Sequence, residues 1–211
     1  MSERTKLIEA IEGARNIVKL NDIKKGEDVL IFADSTTDMR VAEAIAIACR
    51  EKGADVMISQ LIPSSAPATE PPGPLAMAMK GADVILQLSS RYSYGYSIAR
   101  VEANQAGARW QRVAAGSVDL LTREGAIFPV EILFEITKQA EEQFVKSKIV
   151  HITCKKGTDL KADIDPGFVE GAPKGPAKPG DFTPGFHGGT GILHMYPGWT
   201  SEGVIFFDSV L

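Results

Sequence analysis

The stretch Asp28-Val-Leu-Ile-Phe-Ala33 decides the fold, because three similar apolar runs follow it at intervals along the chain: Asp55-Val-Met-Ile-Ser-Gln60, Asp83-Val-Ile-Leu-Gln-Leu88 and Ala108-Arg-Trp-Gln-Arg-Val113. Each run has the length and the β-branched content of a buried strand. Helical patterns separate them, at residues 38–52, 71–80 and 97–106. Parallel strands need such crossover helices. The alternation predicts an α/β fold, a mostly parallel sheet with helices on both faces.

The pattern changes near residue 147. An amphipathic helix over 5–20 precedes the first strand, and a long helix over about 129–146 follows the fourth. Strands at 148–154 and 159–164 then form a hairpin, followed by a Pro- and Gly-rich loop at 166–180 and strands near 191–196 and 203–208. We therefore expect an α/β N-terminal domain at 1–147 and the opening, β-rich part of a second, incomplete domain at 148–211.

Composition excludes several classes of protein. The chain has 211 residues, of which 44% are hydrophobic and 24% charged, and a formal net charge of −4. This charge gives no reason to expect nucleic acid or an anionic membrane as a partner. No apolar run is long enough to span a bilayer. The two cysteines, Cys49 and Cys154, suggest no disulfide framework or metal site, and a reducing cytoplasm fits best.

The last residues form an apolar run, Val204-Ile-Phe-Phe207, that closes the chain almost without polar residues. An open apolar strand edge invites pairing with another chain. We expect a homodimer, a partner chain covering this strand, or a natural protein that continues beyond Leu211.

Candidate ligand contacts lie in the loops after the predicted strands, where open parallel sheets bind ligands. The first loop, Asp34-Ser-Thr-Thr-Asp38, is not a glycine-rich phosphate loop, and capping of the next helix is its simplest interpretation. The loop after the third strand carries an arginine and three tyrosines: Arg91, Tyr92, Tyr94 and Tyr96. These side chains suit either a planar anionic ligand or a subunit contact.

Histidines are the other candidates. His151 lies within a predicted strand and suits a core or surface role. His187 and His194 lie among glycines and aromatics, but their spacing matches no metal-binding signature. The carboxylates nearby are weak partners: Asp181, Glu202 and Asp208. We assign no metal ligand and expect no tightly bound metal.

A characteristic order of short runs extends along the chain: Val41-Ala-Glu-Ala-Ile45, Gly53-Ala-Asp-Val56, Ala76-Met-Ala-Met-Lys-Gly-Ala-Asp-Val-Ile85, Ser97-Ile-Ala-Arg100, Ala106-Gly-Ala-Arg109 and the turn Gly157-Thr-Asp-Leu160. In this order they resemble the N-terminal domain of the aminopeptidase T-type metallopeptidases and of the 2,5-dihydroxypyridine 5,6-dioxygenases. The resemblance covers nearly the whole chain, and it implies homodimers. It also implies Fe(II) or another divalent metal in a full-length relative. In the peptidases a Gly-Glu pair before a proline supplies a metal-binding glutamate. Ile192 stands in that position here, and the remaining family ligands would follow Leu211.

The resemblance leaves three functions open. The first is a non-haem iron, ring-cleaving dioxygenase acting on a hydroxylated N-heterocycle such as 2,5-dihydroxypyridine. The second is a metal-dependent leucyl aminopeptidase-like hydrolase, and the third is a non-catalytic binding or assembly protein. For the first, we assign proton transfer and ring orientation to His187, His194 and Tyr96. Contacts to a small-molecule substrate are assigned to Arg91, Tyr92, Tyr94 and Ser97.

Overall fold

The computed structural model describes residues 3–62, 70–88, 94–113, 115–170, 175–186 and 194–207. Its helices are α1 (Glu3–Leu20), α2 (Met39–Glu51), α3 (Gly73–Lys80), α4 (Ile98–Gln105), α5 (Val118–Leu121), α6 (Glu124–Ile127) and α7 (Val130–Lys146). Its strands are β1 (Asp28–Asp34), β2 (Asp55–Leu61), β3 (Val84–Gln87), β4 (Arg109–Val113), β5 (Ile149–Thr153), β6 (Asp159–Glu170), β7 (Phe182–Phe186) and β8 (His194–Val204).

The predicted parallel sheet is confirmed. Its five strands lie in the order β2-β1-β3-β4-β7, and every neighbouring pair is parallel. This arrangement follows from the alternation of strands and helices. Each helix returns the chain to the end of the sheet where the previous strand began, so the next strand runs parallel to it. Two of the turns from a helix to the next strand end in a glycine with a left-handed backbone conformation: Gly53 has φ +80 and Gly107 has φ +106.

Helices cover both faces of this sheet. On one face, alternate residues of β1, β3 and β4 pack against α1, α2, α5 and the start of α7. On the other face, Leu30, Phe32, Ile85 and Trp110 pack against α3 and α4. Strands β1 and β3 are buried on both faces, which explains their continuous apolar sequence.

Strand β7 is a finding that the sequence pattern did not predict. Residues 182–186 return to the first sheet and pair in parallel with β4, with an irregular register between Gln111 and Val113. Pro184 within this strand is compatible with its place at the sheet edge, where one side needs no partner. The domain boundary near residue 147 stays a prediction, and one strand beyond it belongs to the first sheet.

A separate three-stranded sheet has the order β5-β6-β8 and is antiparallel. The predicted hairpin is confirmed by the register from Ile149 opposite Asp163 to Thr153 opposite Asp159. The predicted loop at 166–180 is wrong for its first residues, because β6 continues to Glu170 as the central strand. The register shifts between Ile164 and Val169, and this irregularity accommodates Pro166-Gly167.

The C-terminal strands also differ from the prediction. One strand, β8, replaces the two expected near 191–196 and 203–208, and residues 205–207 follow it outside regular structure. The apolar side chains of Val204 to Phe207 are exposed. Across the described ranges, no helix combines the length and the apolar character that crossing a membrane requires.

Candidate functional site

The strand order places a switch point between β1 and β3. The chain passes from β1 to β2 on one side and then crosses to β3 on the other. In open α/β sheets the loops diverge at such a point and leave a crevice beyond the carboxyl ends of the strands. The described residues on this side are the loop after β1, the residues before α4, and the loop before α5.

The loop after β1 is organised around a buried carboxylate. Asp34 is fully buried and accepts hydrogen bonds from the backbone and the hydroxyl group of Thr36. The hydroxyl of Thr37 lies 3.2 Å from both Asp34 Oδ1 and the carbonyl oxygen of Leu88. These contacts tie the end of β1 to the end of β3 and give the crevice a rigid floor.

The capping interpretation is confirmed at Asp38. Its carboxylate accepts a hydrogen bond from the backbone N–H of Arg40 at 3.1 Å and caps α2. The Arg40 guanidinium also donates to this carboxylate, and this side-chain hydrogen bond lowers the pKa of Asp38 below its ordinary value. The negative charge at the N-terminus of α2 is therefore supplied by the Asp38 carboxylate of the protein itself.

Tyr94 and Ser97 are buried parts of the framework. The Tyr94 ring lies 6.0 Å from that of Phe32 in the core. Ser97 is the N-cap of α4, where its hydroxyl accepts from Arg100 N and donates to the carbonyl oxygen of Tyr94. Their assigned contact with substrate stays a prediction.

Glu70 completes the start of α4, and sequence reasoning missed it. Its two carboxylate oxygens accept the backbone N–H groups of Ile98 at 2.7 Å and Ala99 at 3.3 Å. Together with Ser97, it satisfies amides that a helix start otherwise leaves free. The segment before α3 is thereby fastened to the segment that carries Tyr96.

Tyr96 is the predicted site residue that the structure exposes, with 81% of its surface accessible. Its ring meets that of Phe182 edge to face, with centroids 6.1 Å apart. The guanidinium of Arg100 lies 4.3 Å from the centroid of the Phe182 ring. We call Tyr96, Arg100 and Phe182 the Tyr96 cluster. It combines an exposed aromatic ring with a cation, the groups that recognise planar anionic rings.

The Tyr96 cluster is held in place by backbone contacts. Arg100 Nε donates to the carbonyl oxygen of Gly95 at 2.7 Å. Asn104 receives a hydrogen bond from Arg100 and donates to the carbonyl oxygen of Asp181, directly before Phe182. Phe182 is the first residue of β7 and lies opposite Trp110, near the start of β4. The Tyr96 cluster therefore lies on the α4 face of the sheet and not in the crevice beyond the carboxyl ends of the strands. Because β7 supplies Phe182, the sequence alone did not group these residues.

The remaining predicted residues are not brought to this cluster by the described part of the chain. Arg91, Tyr92 and His187 lie outside the described residues. His194 begins β8 in the other sheet, opposite Glu170, and its side chain is outside the described part. His151 lies on the surface, with Nε2 2.7 Å from Asp159.

A metal centre has no ligand set among the residues whose placement is described. That part of the chain contains no group of three or more His, Cys, Asp or Glu side chains that could hold a metal ion. Of the three carboxylates considered from the sequence, Asp181 and Glu202 belong to segments of different sheets. Asp208 lies outside the described residues.

One protein family matches most of the chain. The family model described as NicX, 2,5-dihydroxypyridine 5,6-dioxygenase, matches residues 9–209. No curated protein sequence matches the chain.

Several solved structures are similar to the chain, including the following two. The 2,5-dihydroxypyridine dioxygenase from Pseudomonas putida KT2440 has 16% identity and a TM-score of 0.58, over 84% of this chain and 53% of that one. AmpT from Thermus thermophilus has 17% identity and a TM-score of 0.48, over 96% of this chain and 64% of that one. The chain thus spans about half the length of the dioxygenase, and the first likeness shows a shared fold.

Proposed function

This chain belongs to the NicX family of 2,5-dihydroxypyridine 5,6-dioxygenases, and on that basis we propose that it serves ring cleavage of a hydroxylated N-heterocycle. The observation that carries the proposal is the family match, which covers residues 9–209. Its part in the reaction is to bind and orient the planar substrate at the Tyr96 cluster, on the α4 face of the parallel sheet.

The Tyr96 cluster supports this role through its chemistry. A hydroxylated pyridine is flat and carries acidic hydroxyl groups, so it can stack on an aromatic ring and accept hydrogen bonds from a guanidinium. Tyr96 offers the exposed ring, and Arg100 offers a cation over the ring of Phe182, which Tyr96 contacts. The fixed Asp34 and Glu70 contacts keep the surrounding loops in one geometry, which lowers the entropic cost of binding.

The proposed need for a metal rests only on the family to which the chain belongs. Fe(II), or another divalent metal, would activate oxygen and polarise the substrate. The described residues do not provide three ligands for such an ion, so they do not fit a metal site. We propose that His187 and His194 contact substrate or orient a neighbouring group.

Isothermal titration calorimetry with 2,5-dihydroxypyridine tests whether the Tyr96 cluster binds this substrate. Replacing Tyr96 with Ala removes one aromatic contact and should raise the Kd by about 2- to 10-fold. Ile98→Ala is a matched control, because Ile98 is also exposed and lies two residues after Tyr96, at the first position of α4. Equal affinity of the wild type and Tyr96→Ala would show that the substrate does not lie at this cluster.

Two activity assays separate the proposed reaction from its alternatives. Ring cleavage is followed by loss of 2,5-dihydroxypyridine absorbance with Fe(II) and oxygen, and peptidase activity by release of the anilide from a leucyl substrate. Ring cleavage alone would support the proposal. Peptidase activity alone would favour an aminopeptidase-like hydrolase. Binding of 2,5-dihydroxypyridine without either activity would favour a binding or assembly protein.

A further inference from the structure

Strand β4 carries two arginines whose surroundings differ. Arg109, at the start of the strand, is buried, and the Glu27 carboxylate lies 2.6 Å from its guanidinium. Arg112, next to the end of the strand, is half-buried. Within the described part of the chain, the Arg112 guanidinium forms neither a hydrogen bond nor an ion pair. Because a guanidinium that is partly removed from water is stabilised by an anion, Arg112 lacks the counterion that Arg109 has.

Arg112 lies on the face of the sheet that α3 and α4 cover. Trp110 belongs to the core on that face, and side chains alternate along a strand, so Arg112 shares the face two residues later. The two positions are about 7 Å apart along the strand. Gln87 of β3 is the register partner of Arg112 and is fully buried. The guanidinium is therefore at the border of a buried region and not on an open surface.

Trp110 adds a second N–H donor to this face. Its side chain is 1% exposed, and the buried indole Nε1–H has no hydrogen-bond acceptor. A buried donor without an acceptor is destabilising, so an acceptor that binds here gains from both groups. The carboxylate of Asp34 lies on β1, which β3 separates from β4, and it accepts hydrogen bonds from Thr36.

We propose that Arg112 and the indole N–H of Trp110 bind the carboxylate of a small organic acid. A guanidinium donates two parallel hydrogen bonds to a carboxylate, and the indole N–H supplies a third donor. The site adjoins the Tyr96 cluster, because Phe182 lies opposite Trp110. It depends on other side chains, however, and it does not require the proposed ring cleavage.

The surroundings favour a carboxylate over a phosphate. One guanidinium neutralises a carboxylate monoanion but not a phosphate dianion. Phosphate sites also commonly use free backbone N–H groups at a helix N-terminus. At the start of α4, Glu70 accepts the N–H groups of Ile98 and Ala99, and Ser97 accepts that of Arg100. These amides are therefore already used by the protein's own side chains.

Nuclear magnetic resonance with benzoate tests the site, and benzamide is the neutral probe of the same shape. The indole N–H resonance of Trp110 is assigned by its loss in Trp110→Phe. It should move to lower field as benzoate accepts its hydrogen bond, and it should move much less with benzamide. An unchanged resonance throughout the benzoate titration, or equal movement with benzamide, overturns the proposal.

Substitution of the arginine tests the charge. Arg112→Gln should raise the Kd for benzoate by at least about 10-fold, because a charge-assisted hydrogen bond is lost. Arg123→Gln removes the same charge at an exposed position and should leave this Kd unchanged. Equal benzoate affinity of Arg112→Gln and the wild type, or a loss that Arg123→Gln shares, overturns the proposal.

Two further measurements keep the test decisive. Arg112→Lys keeps the charge but not the planar fork, so it should weaken benzoate binding by a smaller factor, and it replaces the glutamine variant if that variant does not fold. Wild-type affinity of Arg112→Lys would then overturn the proposed fork. Inorganic phosphate should bind more weakly than benzoate, and tighter binding of phosphate overturns the assignment to a carboxylate.

Discussion

The two sheets of this protein are covered to very different extents. In the five-stranded sheet, residues 29–34 of β1 are all buried between two layers of helices. In the three-stranded sheet, β5 is exposed along most of its length, and Ala162 and Ile164 of β6, the strand on which α7 packs, are buried. We infer that the first sheet carries the stability of the molecule and that the second depends on whatever covers its exposed face.

The largest loss of stability is expected when an aromatic ring is removed from the core of the first sheet. Phe32 is fully buried, with the ring of Trp110 5.5 Å away, so Phe32→Ala should lower the free energy of unfolding by about 3–5 kcal/mol. Ile152→Ala in β5, where the side chain is partly exposed, should cost less than about 1 kcal/mol. Urea unfolding measures both, and equal losses would show that the two sheets share stability evenly.

A smaller effect is expected from a glycine that the second sheet requires. Gly203 has φ +136, and an added Cβ would overlap the carbonyl group of Asp159 on the neighbouring strand. Gly203→Ala should destabilise the pairing of β6 with β8 by about 1–3 kcal/mol. Hydrogen exchange should accelerate in β6 and β8 while β1 and β3 remain protected. Gly116→Ala, with open space around the added Cβ, is the control.

Much of the first sheet could be predicted from its sequence, and much of the second could not. Strands β1 to β4 are apolar runs separated by helices, so local pattern and tertiary structure agree. Strand β7 and the end of β6 contain Pro and Gly, and their pairing depends on distant partners that local pattern does not encode. The same reason separates the predicted Tyr96 from Phe182, whose ring meets it only after β7 has docked. It also explains why Glu70 was missed, since Glu70 reaches the start of α4 only after the segment before α3 has docked.

A pH effect of modest size is expected at the N-cap of α2. The folded pKa of Asp38 lies below its unfolded value of about 3.9. Its stabilising contribution is therefore complete above that value and is lost as the pH falls through it toward the folded pKa. Asp38→Asn keeps a capping oxygen but removes the charge, so its stability should lie below that of the wild type at neutral pH and approach it in acid. A constant difference from pH 7 to pH 3 would contradict this assignment.

The reactivity of the two cysteine thiols also compares the two regions, and this test leaves the stability of the protein unchanged. Burial in α2 raises the pKa of Cys49 to about 12, whereas a hydrogen bond from the Thr158 hydroxyl lowers the pKa of the exposed Cys154. Iodoacetamide at neutral pH should therefore alkylate Cys154 in the folded protein and both thiols after unfolding. Peptide mass spectrometry gives the site, and early labelling of Cys49 would mean that the first sheet opens readily.

The most direct test of the account is a map of amide chemical shifts during titration with 2,5-dihydroxypyridine. Because the substrate is proposed to bind at the Tyr96 cluster, the shifts should concentrate at Tyr96, Arg100 and Phe182. The hairpin of β5 and β6 should remain unchanged. Shifts confined to that hairpin, or none at saturating ligand, would contradict the central claim that the first sheet presents the substrate.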